Sequence, residues 1–301
     1  MFYNNLSGYF KQRYNKRIKK ICIDGGFTCP NRDGTCGTGG CIFCGERGAG
    51  EHIIPAALSI SGQVCKYFSR THKADEYVVY FQNFTNTYAP VNVLKERYDA
   101  ALTDERMVAL AVGTRPDCIS EEVAGLLASY TDRYDVWVEL GLQTSNDATA
   151  RLINRGYDRS VFERAAAILS GWNIPVVVHI IIGLPGETID DVAATVDYIN
   201  GFSLWGIKIH SLFVMKGTRL EEMYRLGEYV PLTLDEYTES AAHVLSHISP
   251  DMIVHRVTAD CPEDIFIAPE WILDKDNVIL EINKKMEKYG WTQGCLYKET
   301  K

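Results

Sequence analysis

Four cysteines lie in one short, glycine-rich stretch, "TCPNRDGTCGTGGCIFCGERG", at 28–48. Cys29, Cys36, Cys41 and Cys44 follow the spacing C-x6-C-x4-C-x2-C, and the final C-x2-C lets two thiolates grip one metal centre from a single tight turn. The stretch has too few apolar side chains to bury four free thiols. We therefore expect either a zinc ion closed in by all four thiolates or a centre with an open coordination position.

The composition limits the kinds of protein in which this cysteine motif can lie. At 301 residues, 46% hydrophobic and 23% charged, the chain can bury a large core in one domain, with or without an extension. The start of the chain lacks the charged-then-apolar order of a signal peptide, and no apolar run is long enough to cross a bilayer. We expect a cytoplasmic protein without membrane contact, in which nine cysteines indicate metal or redox chemistry rather than disulfides.

Strand-like and helix-like segments alternate along the chain and must position this motif. Apolar runs predict strands at 20–24, 77–82, 107–113, 136–143, 176–182 and 207–214. Amphipathic segments between them predict helices at 60–72, 91–102, 120–130, 161–171 and 189–200. This order implies a parallel sheet covered by helices, and six units fit a partial (β/α)6 barrel of the TIM type better than an open sheet. The cysteines follow the first strand, so they fall on the catalytic face of such a fold.

The pattern changes after residue 215. A helix at 233–248, a strand at 252–258 and a charged helix at 276–289 follow. We predict two units: 1–215 forms the barrel with a basic N-terminal segment, and 216–301 forms an α/β extension packed on it.

A resemblance now sharpens these expectations. The stretch "DGGFTCPNRDG" followed by "GGCIFC" resembles the cluster loop of the radical S-adenosylmethionine (SAM) enzymes. Further motifs are similar, in order, to the YtqA/YhcC-type group related to the Elongator catalytic subunit: "YFQNFTNTYAP", "GTRPDCI", "WVELGLQT", "INRGYD", "HIIIGLPGET", "IKIHSLFVMKGT" and "MIVHRVTADCPED". The resemblance covers almost the whole chain. It implies a [4Fe-4S] cluster that cleaves SAM to a 5′-deoxyadenosyl radical.

The resemblance also implies which thiols bind the cluster. By its pattern the ligands are Cys29, Cys41 and Cys44, and SAM chelates the fourth iron through its amino and carboxylate groups. Cys36 is then supernumerary, and either replaces a ligand or protects the empty loop. Phe43, inside "CIFC", is expected to pack over the cluster, where an apolar shell tunes its potential.

Contacts to SAM are expected at the strand ends. Thr85, Asn86 and Thr87 stand where the superfamily holds the methionyl amine, although capping of the next helix is an equal alternative. Gln143 should face the ribose, with Glu139 on the same side of the strand.

Three further positions carry expected SAM contacts. Arg155 matches an arginine that pairs with the SAM carboxylate in related enzymes, and its alternative is an exposed surface arginine. Gly183 lets the backbone approach the adenine, or simply forms a strand-to-helix turn. Leu212 either lines the adenine pocket or belongs to the core.

Charged residues in other strands suggest contacts with substrate. A buried Glu139 is costly without a partner, which favours a functional role or a pair with Arg115. Arg115 and Asp117, in "GTRPD", should project toward the cavity as catalytic or substrate-binding groups.

Two histidines lie inside apolar strands, His179 and His210. Such a residue is usually a satisfied core histidine. If both point inward, they could contact a substrate anion with Lys208 or Lys216, and His210 is the candidate catalytic residue.

The substrate is suggested by a basic segment and by the resemblance. The segment "KQRYNKRIKK", at 11–20, has six basic residues and a tyrosine in a chain of formal charge −8, which suits RNA phosphates and unpaired bases, although a solvated flank is the commoner role. The resemblance implies maturation of the tRNA wobble uridine from carboxymethylaminomethyl toward aminomethyl, with an electron donor such as flavodoxin or ferredoxin. Two alternatives stay open: a radical SAM enzyme for a small metabolite or peptide, and a non-catalytic protein braced by zinc.

Overall fold

The computed structural model describes residues 2–48, 54, 56–70, 74–260 and 263–299. Cys261, which the sequence offers as a hydrogen donor or a spare thiolate, lies outside the described residues.

A seven-stranded parallel sheet forms the centre of the molecule. Its strands stand in the order β1-β2-β3-β4-β5-β6-β8. Their bounds are β1 Ile18–Asp24, β2 Glu76–Gln82, β3 Met107–Thr114, β4 Asp135–Gln143, β5 Val176–Ile182, β6 Gly206–Ser211 and β8 Ile253–Arg256. A separate antiparallel pair joins β7, Val214–Met215, to β9, Phe266–Ala268. The curled sheet with its covering helices is the partial TIM-type barrel that the sequence predicts.

Helices follow the strands in the expected alternation. They are α1 Leu6–Tyr14, α2 Ile60–Ser69, α3 Val91–Ala101, α4 Glu121–Ala128, α5 Asp147–Leu152, α6 Arg159–Gly171, α7 Ile189–Ile199, α8 Arg219–Arg225, α9 Leu234–His247 and α10 Lys275–Tyr289. The predicted helices are confirmed, whereas α1, α5 and α8 were not predicted. Within the described ranges no helix has the length and apolar character needed to cross a membrane.

Local chemistry explains where these elements begin and what they bury. The strand "VVVHIII" of β5 is almost wholly apolar and β-branched, as expected for a strand covered on both faces. Helix α7 begins with a capping box, in which Thr188 and Asp191 satisfy each other's backbone N–H groups.

The helix α1 closes the amino end of the barrel interior. Its Leu6 and Phe10 pack against Tyr80 and Trp137, which point inward from β2 and β4. At this end the inner wall of the barrel is apolar, and the amphipathic segment covers it because burial of apolar surface is favourable. The basic segment therefore begins as a packed helix rather than as a free arm.

The sheet has one strand more than the six predicted for the barrel. The strand β8 belongs to the predicted extension, yet it pairs in parallel with β6, with Gly206 opposite Ile253 and Ile207 opposite Val254. The strand predicted at 252–258 is thus observed over four residues, whereas its pairing with β6 was not predicted. The extension thus supplies part of the barrel wall, and the division at residue 215 stays a prediction.

Candidate active site

A cavity of about 700 Å³ opens at the carboxyl ends of the strands and reaches down to α1. All seven strands of the large sheet contribute to its wall. Ten of the predicted site residues line it: Cys29, Cys41, Phe43, Cys44, Thr85, Arg115, Glu139, Gln143, His210 and Leu212. Five others are not part of this lining: Asn86, Thr87, Asp117, Arg155 and Gly183. The structure thus brings the cysteine loop and most of the predicted strand-end residues to one space.

Three of the four clustered cysteines face this cavity. Cys41 and Cys44 share a tight turn, in which the Cys44 N–H donates to the Cys41 carbonyl at 3.0 Å. The hydrogen bond between their thiols and burial raise the pKa of Cys41, whereas the same bond lowers the pKa of Cys44. Cys29 lines the cavity with them, but Cys36 is exposed and does not. This placement favours the ligand set that the resemblance implies.

The cysteine loop is held by a guanidinium and by a neighbouring turn. Arg32 donates to the Cys44 carbonyl at 3.1 Å and stacks over the Phe84 ring, with its Cζ 5.4 Å from the ring centroid. Asn154 donates to the carbonyl of Gly40 at 2.7 Å, and a Cβ at Gly40 would lie 2.9 Å from the Arg32 side chain. These contacts hold the loop against the barrel mouth before any cluster binds.

The arrangement of the thiols bears on the kind of metal centre. Among the described residues, no three Cys, His, Asp or Glu side chains surround one ion. A closed zinc site needs four such ligands around a single ion. In a [4Fe-4S] cluster each cysteine binds a different iron, so the thiols face one space without converging on one point. Cys36 is exposed and does not line the cavity with the other three thiols, so the residues present lack the fourth thiolate of a closed zinc site and fit a cluster held by three.

The strand ends beside the loop carry polar groups without partners. The Thr85 hydroxyl and the Asn86 side-chain oxygen are buried and make no hydrogen bond. Thr87, by contrast, is used within the fold, because it donates to the Cys118 carbonyl at 2.8 Å. Gln143 ends β4 with a φ of +63°, where the register with β5 shifts. Such a conformation in a non-glycine residue indicates a functional constraint.

The arginines near the mouth have partners different from those expected. Arg115 makes a bidentate pair with Asp117, at 2.9 and 2.6 Å, and donates to the Arg155 carbonyl at 2.8 Å. Its partner is therefore Asp117 and not Glu139. Arg155 is 0% exposed and donates to the carbonyls of Leu142, Thr144 and Tyr157.

This placement does not favour the predicted contact between Arg155 and the SAM carboxylate. The side chain instead ties the end of β4 to the following loop, because three backbone carbonyls bind its guanidinium. Gly183 has a φ of +93°, and a Cβ there would lie 3.3 Å from Leu232 and 3.8 Å from Leu212. It is placed behind Leu212, which does line the cavity.

A buried charged network lies deeper in the cavity. Glu139, 1% exposed, accepts hydrogen bonds from the Trp137 indole at 3.1 Å and from Lys208, and pairs with His179 at 3.0 Å and Lys20 at 3.4 Å. Burial opposes its ionisation, but the surrounding Lys208, Lys20 and His179 hold the pKa of Glu139 well below its usual range. We call a set of five cavity-lining residues the charged floor: Lys20, Glu139, His179, Lys208 and His255.

Sequence reasoning found only part of this network. It selected Glu139, His179 and Lys208, but it did not select Lys20 or His255. The available signal was a polar residue at an inward position of an apolar strand, as in "KICID" and "MIVHRVT". Lys216 does not take part, since its ammonium donates to the Asp264 carbonyl at 2.7 Å.

Comparison with known proteins supports what the site suggests. The description "Radical SAM superfamily" matches residues 33–199, and "Radical_SAM C-terminal domain" matches residues 204–288. The chain belongs to the radical SAM superfamily. Its cofactors are therefore a [4Fe-4S] cluster and SAM, and the reading as a zinc-braced interaction protein is set aside.

Individual relatives resemble the chain over different lengths. "Uncharacterized protein YtqA" of Bacillus subtilis is 38% identical over 98% of this chain and 92% of its own length. A protein called tRNA uridine(34) acetyltransferase, from Methanocaldococcus infernus, is 27% identical over 64% of this chain and 35% of its own length. The solved structure of the archaeal Elp3 of Methanocaldococcus infernus, lacking its N-terminus, has a TM-score of 0.68 at 19% identity. That match covers 92% of this chain and 64% of the other, and it shows the shared fold.

Proposed function

We propose that this radical SAM enzyme modifies the wobble uridine side chain of tRNA, taking carboxymethylaminomethyl toward aminomethyl. The observation that carries the proposal is the charge of the cavity. Among the described residues that line it, one is acidic, Glu139, and six are basic: Lys19, Lys20, Arg32, Arg115, Lys208 and Arg256. Asp117 and Asp260, which do not line the cavity, pair with Arg115 and Arg256, but the other cations still give a net positive lining in a chain of formal charge −8, which indicates an anionic substrate.

The relatives support an RNA substrate more than the N-terminal basic segment does. One relative is named for its action on uridine 34 of tRNA. In the basic segment, Arg13 donates to the carboxylate of Asp135 at 3.0 and 3.1 Å, and Lys16 pairs with Glu76. These residues serve the fold, so the proposal rests on the cavity and the relatives.

Each part of the cavity has a proposed task. A bound [4Fe-4S] cluster would supply the reductive chemistry on SAM, with an electron from a flavodoxin or ferredoxin. Cys29, Cys41 and Cys44 hold it, and Phe43 shields it from water. The unpaired Thr85 hydroxyl accepts a hydrogen bond from the SAM amine.

Other residues orient the substrate. Gln143 faces the ribose of SAM at the end of β4. Arg115 and Asp117 stand at the rim as one ion pair, and Arg115 presents its guanidinium to the cavity. His210 lies further in, next to His179, with 5.1 Å between the ring centroids. The barrel wall and α1 exclude bulk water from the radical.

A small carboxylate metabolite or a peptide is the second candidate substrate. The same cations favour it, because they attract an anion. The helix α1 also closes the far end of the cavity and leaves a compartment suited to a small anion. Binding to bulk tRNA that weakens steeply with salt is expected only for the first candidate.

Deletion of the gene tests the proposal directly. Total tRNA from the deletion strain should accumulate carboxymethylaminomethyluridine and lose its aminomethyl product, as measured by nucleoside mass spectrometry. Expression of the unaltered protein should restore the product, whereas Cys44→Ala should not. A matched control is Lys95→Met, since Lys95 forms an exposed pair with Asp99 far from the cavity. Unchanged wobble uridines in the deletion strain would rule out this substrate.

A further inference from the structure

The charged floor contains more positive groups than its one carboxylate can neutralise. Two lysines, Lys208 and Lys20, share Glu139 as their one carboxylate partner. His179 also pairs with Glu139 but adds no charge near pH 7, because burial lowers its pKa to about 4, and Arg256 at the cavity wall pairs with Asp260 at 4.0 Å. A buried cation without a counter-ion is costly. The cost is visible at Lys208, because burial lowers its pKa to about 7, even though Glu139 acts in the opposite direction. The side chains of the charged floor therefore match those of an anion-binding site.

Two imidazoles beside these cations have polar atoms without partners. Within the described part of the chain, neither ring nitrogen of His255 makes a hydrogen bond, and its side chain is 0% exposed. The Nε2 atom of His210 is also buried without a partner. Both residues line the cavity. Buried polar groups in native proteins are normally hydrogen-bonded, so these nitrogens indicate a ligand at this place.

The neighbouring side chains restrict the shape of that ligand. Tyr80 lies under both lysines, with ring centroid distances of 4.9 Å to the Lys20 ammonium and 4.5 Å to the Lys208 ammonium. Trp205 meets the His255 ring edge-on, at 5.0 Å between centroids. Aromatic walls with convergent N–H donors suit a small planar anion, and a carboxylate accepts several charge-assisted hydrogen bonds in one plane.

We propose that the charged floor, together with His210, binds a carboxylate of the substrate, which enters the barrel with its acidic group first. Lys20, Lys208 and the imidazoles donate to the anion, and Glu139 is a positioning residue that holds both lysines. The inference deepens the proposed function and rests on it for the identity of the substrate. A carboxymethylaminomethyl group has the required acid at its free end, whereas the aminomethyl product has none. The floor would thus distinguish substrate from product.

Binding of free nucleosides tests the subsite without any turnover. Equilibrium dialysis of the reconstituted protein should show carboxymethylaminomethyluridine binding at least about tenfold tighter than aminomethyluridine. Lys20→Met should remove this preference, Lys20→Arg should restore much of it, and the exposed control Lys95→Met should leave it unchanged. Lys20 is partly exposed and thus tolerates substitution better than the fully buried members. A preference untouched by Lys20→Met would overturn the proposal, and equal affinities in the unaltered protein would contradict this nucleoside as the ligand of the subsite.

A second probe separates this proposal from the wobble-uridine assignment. Acetate should quench the fluorescence of the tryptophans beside the floor, Trp137 and Trp205, and the effect should be lost in Lys20→Met. Acetate binding without preference for the carboxylated nucleoside would support an anion subsite and contradict the uridine substrate. Inorganic phosphate binding more tightly than acetate would contradict the carboxylate assignment. No response to either anion would overturn the subsite, whatever the tRNA of the deletion strain shows.

Discussion

The substitution Glu139→Gln tests whether the charged floor is organised by one carboxylate. The side chain keeps its size and can still accept from Trp137, but it loses the charge that faces Lys208, Lys20 and His179. Removing one partner of a buried ion pair leaves an uncompensated charge and costs about 3 to 5 kcal/mol. At about 2 to 4 °C per kcal/mol, the melting temperature should fall on the order of 10 °C.

A double-mutant cycle measures the coupling. Urea unfolding of the anaerobic, reconstituted protein is monitored by circular dichroism. The free energy of unfolding should fall strongly in Glu139→Gln and in Lys208→Met, each taken alone. The double variant should lose less than the sum of the two, because it removes both charges together. The control Glu281→Gln breaks an exposed pair with Lys284 and should stay within about 0.5 kcal/mol. If Glu139→Gln lowers the free energy of unfolding by less than about 1 kcal/mol, the lysine charges are stabilised by water and not by Glu139.

Three further predictions address the cluster loop, the loop after β4 and the pH dependence. Cys44→Ala should lose iron, sulfide and visible absorbance after anaerobic reconstitution, while Cys36→Ala should keep them; the reverse result would overturn the ligand set. Arg155→Met removes its hydrogen bonds to three backbone carbonyls, of which Leu142 keeps a second donor in the Thr144 N–H, and should cost about 2 kcal/mol or more in urea unfolding; a neutral result would contradict its structural role. Because the pKa of Lys208 is lowered to about 7, the unfolded chain binds more protons above that pH, so stability should rise from pH 7 toward 10. This contribution should be absent in Lys208→Met, and the same pH profile in both proteins would show that folding does not lower the pKa of Lys208.

The local sequence pattern was enough to predict most strands and helices, and the resemblance added the cluster loop. The apolar run at 176–182 and the segment at 189–200 each correspond to one observed element within a residue, because periodicity and capping act over a few neighbours. Cys29, Cys41 and Cys44 line one cavity, since one turn and one loop place them, and their role as cluster ligands, implied by the resemblance, stays a prediction. The inward position of Glu139 follows in the same way from strand alternation.

Contacts between distant segments could not be read from the chain. The partner of Glu139 is Lys208, 69 residues away, and not Arg115, because barrel closure decides which inward side chains meet. From the sequence alone, Arg155 matches an arginine that binds a ligand. Only the folded loop shows that its guanidinium donates hydrogen bonds to three backbone carbonyls.

The closure of the barrel is likewise a tertiary property. Residues 6–14 have a weak apolar face that becomes a helix against Tyr80 and Trp137, and the strand predicted at 252–258 joins the barrel wall because it pairs with β6. The amino-acid sequence by itself determined most strands and helices and the loop that carries the cysteines, since these depend on neighbours in the chain. The tertiary structure alone decided which charges share the cavity, because burial in one space, and not sequence distance, brings them together.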